Sequence, residues 1–402
     1  MIRFTQHLTE AVKKTSGKNV HLEHLEDEIL NSGYAGFQRA IASIRGVMQI
    51  LSVNEPSAYD LTVKWDGAPA IFAGIDPSNG KFFVGTKSIF NVTPKVNYTD
   101  ADIDANHPAP GLNAKLKLAL KHLPKLGIKG ILQGDLLFDS ETIQTETIDG
   151  KRYLTFRPNT ITYAVDPKSA LGKRMRVAKL GIVFHTAYDG DTIQTLQARF
   201  NPDLSGLKKP RNVWYDNATL RFAKGTGMFS AGEQQVVQRN IAVVMRTALG
   251  LRKVMGTIAA NQGVKDGIKQ YINNLVAQGK SSANADVNDL LAFMQKKAQA
   301  GRKRPSTAPT PSMVWIKQHR NQVSQVFALH NSLAALKMLV VGKLSQLKGD
   351  VGTFIRDGKG YRVTSPEGYV AIDRMSNQAV KLVDRLDFSQ ANFTASKDWA
   401  KE

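Results

Sequence analysis

The sequence predicts an α+β chain: a β-rich core preceded by a helical segment and interrupted by a large basic helical insertion. Three observations carry that reading. Near the N-terminus Phe37, Ile41, Ile44, Val47, Met48 and Leu51 recur at helical spacing. From about residue 59 to 217 the pattern changes to short, β-rich runs. Residues 219–350 then turn helical again with 19 Lys+Arg against 5 Asp+Glu, so one third of the 402 residues holds +14 of a formal +20. A charge asymmetry of that size reads as a module with its own task.

Taken in order, residues 1–55 form the N-terminal helical segment. Its acidic cluster Glu23, Glu26, Asp27 and Glu28 reads as a solvated helix face rather than a metal site. His21 and His24 lie beside it, but a third ligand at compatible spacing is missing. Residues 56–218 form the first part of the core, with strands expected at Asp60–Trp65, Ala70–Ile75, Lys81–Thr86, Gly130–Phe138, Asn159–Val165 and Lys179–Tyr188. The tract Asp76-Pro77-Ser78-Asn79-Gly80 reads as a hairpin loop. Residues 219–350 form the insertion, rich in Ala, Gln, Leu and Lys. It is broken near Gly279–Ala285 and at a basic loop from Arg302-Lys303-Arg304-Pro305 to Pro311. Residues 351–402 return to strands at Gly360–Thr364, Gly368–Asp373 and Ala379–Val383.

Composition removes several classes. Without cysteine there is no disulfide, zinc finger, iron–sulfur cluster or thiol nucleophile. A Gly-rich Gly-Lys-Ser/Thr segment is lacking, which removes a P-loop enzyme. The start, MIRFTQHLTEAVKK, lacks the apolar core of a signal peptide, and the most apolar stretch, Leu333 to Leu344, is broken by Lys337 and Lys343. The expectation is a soluble, cytoplasmic protein without a membrane role and with a polyanionic partner. The sequence leaves oligomeric state open.

Four short pieces carry chemistry. Lys64-Trp65-Asp66-Gly67 ends a strand in which Leu61, Val63 and Trp65 alternate. A strand-end lysine in a pocket becomes a nucleophile when nearby cations disfavour its ammonium form. The same four residues also suit an ordinary hairpin turn. In Gln133-Gly134-Asp135-Leu136 a carboxylate interrupts an apolar strand, either facing water at an edge or meeting a cation or ribose. Glu367-Gly368 is a second acid–glycine step leading into an apolar strand, and Lys381 stands among aliphatics, where it either snorkels or meets an anion.

In this order the pieces resemble the motifs of the covalent nucleotidyltransferase superfamily, the ATP-dependent DNA and RNA ligases and mRNA capping enzymes. The match spans roughly residues 59–190 and 360–385. The resemblance implies a ligase-type nucleotidyltransferase fold, with ATP-grasp-like antiparallel sheets and flanking helices. It implies that Lys64 becomes nucleotidylated, with Asp66, Asp135, Glu367 and Lys381 completing the catalytic set. Nucleotide contacts would come from Lys64, Gly67, Lys87, Asp135, Phe184, Glu367 and Lys381, with Phe184 stacking on the purine. Asp135 and Glu367 would place Mg2+ (or Mn2+), and ATP would be the nucleotide.

Three departures shape the expectation. Asp135 replaces the usual Glu, Val383 stands where a second lysine is common, and Pro69 occupies a frequent arginine position. Only 21 residues follow Lys381, too few for the OB-fold of DNA ligases and capping enzymes. The implied function is an ATP-dependent polynucleotide ligase, RNA ahead of DNA, with the insertion clamping the nucleic acid. The alternatives are a catalytically inactive nucleic-acid-binding protein of the same fold, or a capping-type guanylyltransferase.

Overall fold

A computed structural model describes residues 22–52, 57–222, 227–300, 308–347, 349–358 and 360–389. The basic loop Arg302-Lys303-Arg304 lies outside the described residues. The chain is mixed α+β, and its strands fall into three sheets among the described residues.

The first sheet has the order Glu23–His24, Ala379–Leu382, Gly368–Asp373, Tyr59–Lys64. Glu23–His24 runs parallel to its neighbour, and the other pairings are antiparallel. Segments from both ends of the chain thus form one sheet. In its register Lys64 lies opposite Gly368, while Val370 lies between Thr62 and Lys381.

The second sheet runs Gln197–Phe200, Leu180–Asp189, Ile131–Asp139, Ala70–Ile75, Phe82–Gly85, with Val213–Asn217 added parallel to Leu180–Asp189. Its hairpin at residues 76–80 matches the expected loop. Asp76 accepts a hydrogen bond from the Ser78 amide at 2.8 Å, and Gly80 adopts the left-handed φ of 70° that closes the turn. The third sheet, Gly360–Val363, Gly352–Asp357, Thr162–Val165, Lys151–Phe156, Gln144–Ile148, is antiparallel throughout. Only the second half of the expected Asn159–Val165 strand pairs in it. The preceding residues form a loop whose amides serve another purpose, described below.

The helices start where capping chemistry allows. Ser230 and Glu233 form a capping box, Asn261 and Asp286 accept first-turn amides, and Thr310 precedes Pro311. The Glu28–Ile50 helix bends at Gly33, whose φ is 61° and whose missing side chain lets the Gly256 backbone pass 3.2 Å from the Cβ position.

These helices do not own a separate core. Ile44, Val47, Ile241, Met255, Ile268, Val326 and Leu333 pack with Leu61, Tyr369, Ala371 and Leu382 in a single cluster. Because side chains alternate along a strand, the helices cover one face of the first sheet and leave Thr62, Lys64 and Lys381 on the other. The basic insertion expected from the charge pattern therefore sits behind the sheet that carries Lys64. One of its helices, Arg320–Leu344, is long and apolar enough to cross a membrane by length and composition, and half of that apolar window is buried among its neighbours.

The acidic cluster is not a solvated face. Glu26 is 0% exposed and bonds Lys337, itself 1% exposed, at 2.9 and 3.0 Å. Asp27 accepts from Arg385 at 3.0 Å and meets His330 Nε2 at 2.9 Å, and Glu28 holds Arg39 at 2.7 Å. Glu23 pairs with Lys269 at 3.0 Å. Glu23 stands in a strand and Glu26 and Asp27 in a 3-10 turn, with only Glu28 in the helix, and the solvent assignment fails because most of the partners come from residues far along the chain. Burial works to raise the Glu26 carboxyl, yet Lys337, His24 and Arg385 hold it down at about 2.

Lys337→Met leaves the buried Glu26 with Arg385 Nη1 at 3.6 Å in place of two close bonds and should lower the unfolding free energy by about 3–5 kcal/mol. The double variant Glu26→Leu/Lys337→Met should recover most of it, as read by urea denaturation. His24 adds a pH dependence. Its Nδ1 is enclosed without a partner, and burial lowers its pKa to about 3. The unfolded chain therefore takes up a proton that the folded one refuses, so stability should fall as pH drops from about 6.5 towards 3. His24→Gln should flatten that part of the profile.

Candidate functional site

The turn after Lys64 is clamped from two sides. The Ala68 amide donates to the Leu136 carbonyl at 3.0 Å, and the Leu136 amide donates to the Pro69 carbonyl at 3.1 Å. These bonds lay the turn along the Ile131–Asp139 strand of the second sheet. Gly67 makes that approach possible, because a Cβ there would stand 2.5 Å from Asp135 Cβ. On the other side, the Asp66 carboxylate accepts from the Thr160 amide at 2.7 Å, Thr160 Oγ1 at 2.6 Å, the Ile161 amide at 2.9 Å and Asn159 Nδ2 at 2.8 Å. Asp66 thereby ties the turn to the third sheet. Four donors leave a buried carboxylate little capacity for anything else, so Asp66 positions Lys64 rather than acting on a substrate.

Lys64 points into the seam where the three sheets meet and forms an ion pair with the Glu367 carboxylate. The pairing follows from register: Gly368 lies opposite Lys64, and a Cβ at Gly368 would meet Val383 at 2.5 Å. Burial works to lower the Lys64 pKa, but Glu367, with Asp135 and Asp66 beyond it, outweighs burial and holds the amine above its ordinary value. Glu367 is raised, first by burial and then by Asp66 and Asp135, against the pull of Lys64. The resting pair is an ammonium against a carboxylate.

Lys381 lies on the same face of the first sheet, paired in register with His24. It makes no ion pair with a described residue, and burial and the Lys64 charge lower its pKa to about 8, against Glu367, Glu23 and Asp27. Asp135 is about one-fifth exposed, and the nearest cation-forming group is His185 Nε2 at 3.7 Å. Lys381 is thus a half-buried cation close to Lys64 and Glu367, and Asp135 is a partly open carboxylate close to the same pair.

The sites read from the sequence thus divide. Lys64, Asp135, Glu367 and Lys381 come together, with Gly67 at their centre. Lys87 is exposed, just beyond the Phe82–Gly85 strand, at the end of the second sheet where Ala70 pairs with Asp135. Phe184 is corrected: it is fully buried in the opposite core with Leu116, Leu136 and Tyr215, so its ring is not open to a purine. The neighbouring His185 takes the seam-facing place instead, its Nδ1 2.8 Å from Thr186 Oγ1. Plain alternation accounts for this: Leu180, Ile182 and Phe184 share one face of their strand, while Asp135 pairs with Val183 and so lies on the other. Val383, the position where a second lysine is common, is buried with Leu137, Phe138 and Phe388.

Carboxylates are hard-oxygen ligands of the kind Mg2+ takes, one or two at a time together with substrate oxygens and water. Asp135 fits that role best, because Glu367 is engaged with Lys64. No group of three or more His, Cys, Asp or Glu among the described residues could hold a metal by itself.

The chain belongs to a family of unknown function, DUF6267, whose model matches residues 19–397. No curated protein and no solved structure matches it.

The placement of Phe184 has a direct test. Phe184→Ala removes a core ring and should lower the unfolding free energy by about 3–5 kcal/mol in denaturant titration. An aromatic reserved for a ligand would show little such loss.

Proposed function

We propose that the chain is a nucleotidyltransferase that works through a covalent lysyl–AMP, and that it is an ATP-dependent polynucleotide ligase, RNA ahead of DNA. The observation that carries this reading is the convergence of Lys64, Asp135, Glu367 and Lys381, dispersed over more than 300 residues, at one seam between largely antiparallel sheets. The fold of the ligase superfamily is part of the proposal.

The chemistry assigns each group a task. The Lys64 amine, once it has lost its proton, attacks the α-phosphorus of ATP; a P–N bond forms and the P–O bond to pyrophosphate breaks. Glu367, already holding that proton by a hydrogen bond, is placed to receive it. Lys381 supplies positive charge where negative charge grows on the phosphoryl oxygens. A divalent metal, when bound at Asp135, would supply further charge neutralisation to the phosphates. The AMP then passes to a 5′-phosphate, and a 3′-hydroxyl displaces it as the strands join.

A second reading is a binding protein of this fold without catalysis. The observation in its favour is the burial of Phe184, which removes the expected purine stack.

Incubation with α-labelled nucleotide and Mg2+, followed by a denaturing gel, separates these. Label from ATP that is lost in Lys64→Ala and stable to hydroxylamine supports the ligase. Label from GTP alone indicates the capping-type reaction, and no label the binding protein. Asp135→Asn should slow labelling roughly a hundred- to thousand-fold, about 3–4 kcal/mol.

The pKa directions add a profile. Productive free enzyme needs Lys64 neutral and Lys381 charged. With Lys64 raised above its usual value and Lys381 near 8, the product of the two fractions rises with pH up to about 8 and then levels. The kcat/KM for self-labelling should show that break. In Lys381→Arg, whose charge persists, the rise should continue past pH 8; an unmoved break would remove Lys381 from the step.

A further inference from the structure

The Ala231–Gly250 helix buries only a narrow stripe, Val237, Ile241, Val244 and Ala248. Its outer face is unusual for a solvated helix. Val236, Arg239, Val243, Arg246 and Leu249 follow one another at three- and four-residue steps and so form a second stripe along one side. Val236 is 49% exposed, Val243 52% and Leu249 61%, with Met245 beside them at 38%. Large apolar side chains exposed singly are ordinary, but Val236, Val243 and Leu249 in helical register on one helix form a patch.

The electrostatics of the patch are one-sided. Between Glu233 and Asp266 the chain has no Asp or Glu, while Arg239, Arg246, Arg252, Lys253 and Lys265 all occur. Glu233 itself is held by Lys343 at 2.6 Å. Arg239 and Arg246 make no ion pair with any described residue, and Arg45 of the Glu28–Ile50 helix lies against Met245 with Nη2 3.7 Å from its sulfur. The 21 N-terminal residues carry Arg3, Lys13, Lys14 and Lys18 against Glu10 alone, so their charge does not complement this face.

We infer that this face is a docking surface for an acidic amphipathic helix of a partner protein. Apolar and Arg side chains alternate along the same stripe, and the helix contains no Lys. Arg enrichment with Lys depletion around exposed apolar groups is the composition of protein interfaces. A lipid surface favours segregated apolar and basic faces with aromatic anchors, which this helix lacks. Single-stranded nucleic acid favours aromatic platforms, and none stands on the stripe. The partner would lay Leu, Ile or Met at helical spacing against Val236, Val243 and Leu249, with its carboxylates on Arg239 and Arg246.

The full chain is tested by fluorescence anisotropy with a labelled synthetic peptide of about 20 residues, enough to match a ~30 Å helix. The peptide carries Leu at three- and four-residue steps and Glu elsewhere. A scrambled peptide of the same composition and a single-stranded oligonucleotide serve as comparisons. The patterned peptide should bind roughly tenfold or more tightly than the scrambled one, and Val243→Asp or Arg239→Glu/Arg246→Glu should each weaken it by a similar factor. Unchanged thermal melting of these surface variants will show that the fold is intact, and their Lys64 labelling should equal that of the parent chain. Equal binding of both peptides, or binding unaffected by the substitutions, overturns the inference. Loss of oligonucleotide binding in the variants with peptide binding unchanged overturns it in favour of nucleic acid.

Discussion

The buried ionic cluster at Glu26, Asp27, His330, Lys337 and Arg385 is the constraint on which the rest of the structure depends. Each charge has left water, and only a complete set of partners makes that tolerable. Glu26 and Asp27 come from the N-terminal segment, His330 and Lys337 from the Arg320–Leu344 helix, and Arg385 from the turn just after the last strand of the first sheet. The network can therefore close only when three distant parts of the chain are in register. When it closes, Glu23–His24 lies parallel to Ala379–Leu382 and fixes Lys381 on its face of the sheet. A scaffold charge network thus sets the position of a site lysine that it never touches.

The site obeys the same logic at smaller scale. Lys64 belongs to the first sheet, its following turn is stitched to the second by the two bonds to Leu136, and Asp66 binds the third through the 159–161 loop. A strand end held by three sheets has little freedom to drift, which the nucleophilic role proposed for Lys64 would require. Glycine appears at the two tightest points, 67 and 368, because any side chain there would collide with Asp135 or Val383.

Much of this was legible in the sequence, and the failures have identifiable causes. The hairpin at 76–80 and the strands bearing Lys64, Asp135, Glu367 and Lys381 follow from local alternation and turn chemistry, which act within a few residues. The Phe184 expectation fails because it rests on motif order, whereas alternation with Leu180 and Ile182 turns that ring away from Asp135. The solvated reading of Glu26 and Asp27 fails because Lys337, His330 and Arg385 lie more than 300 residues away, and a local pattern of carboxylates looks the same whether water or Lys337 faces it. The strands Gln144–Ile148 and Lys151–Phe156 escaped because each begins with two exposed polar residues, Gln144-Thr145 and Lys151-Arg152, which dilute the apolar signal.

Charge and position must also be separated. The positive excess of residues 219–350 reads naturally as a clamp over a reactive centre, yet the helices share a core with the face of the first sheet that Lys64 does not occupy. Surface cations act through water over about 8–10 Å at physiological salt, so charge on the far side of a packed sheet does little directly at the seam. Within the seam the charges nearly balance: Lys64 and Lys381 against Glu367 and Asp135. Recognition there must come from the arrangement of those four groups, while the outer helices are free to present their charge elsewhere. Two surfaces of opposite orientation, one near neutrality and one strongly basic, are better suited to two different partners than to one.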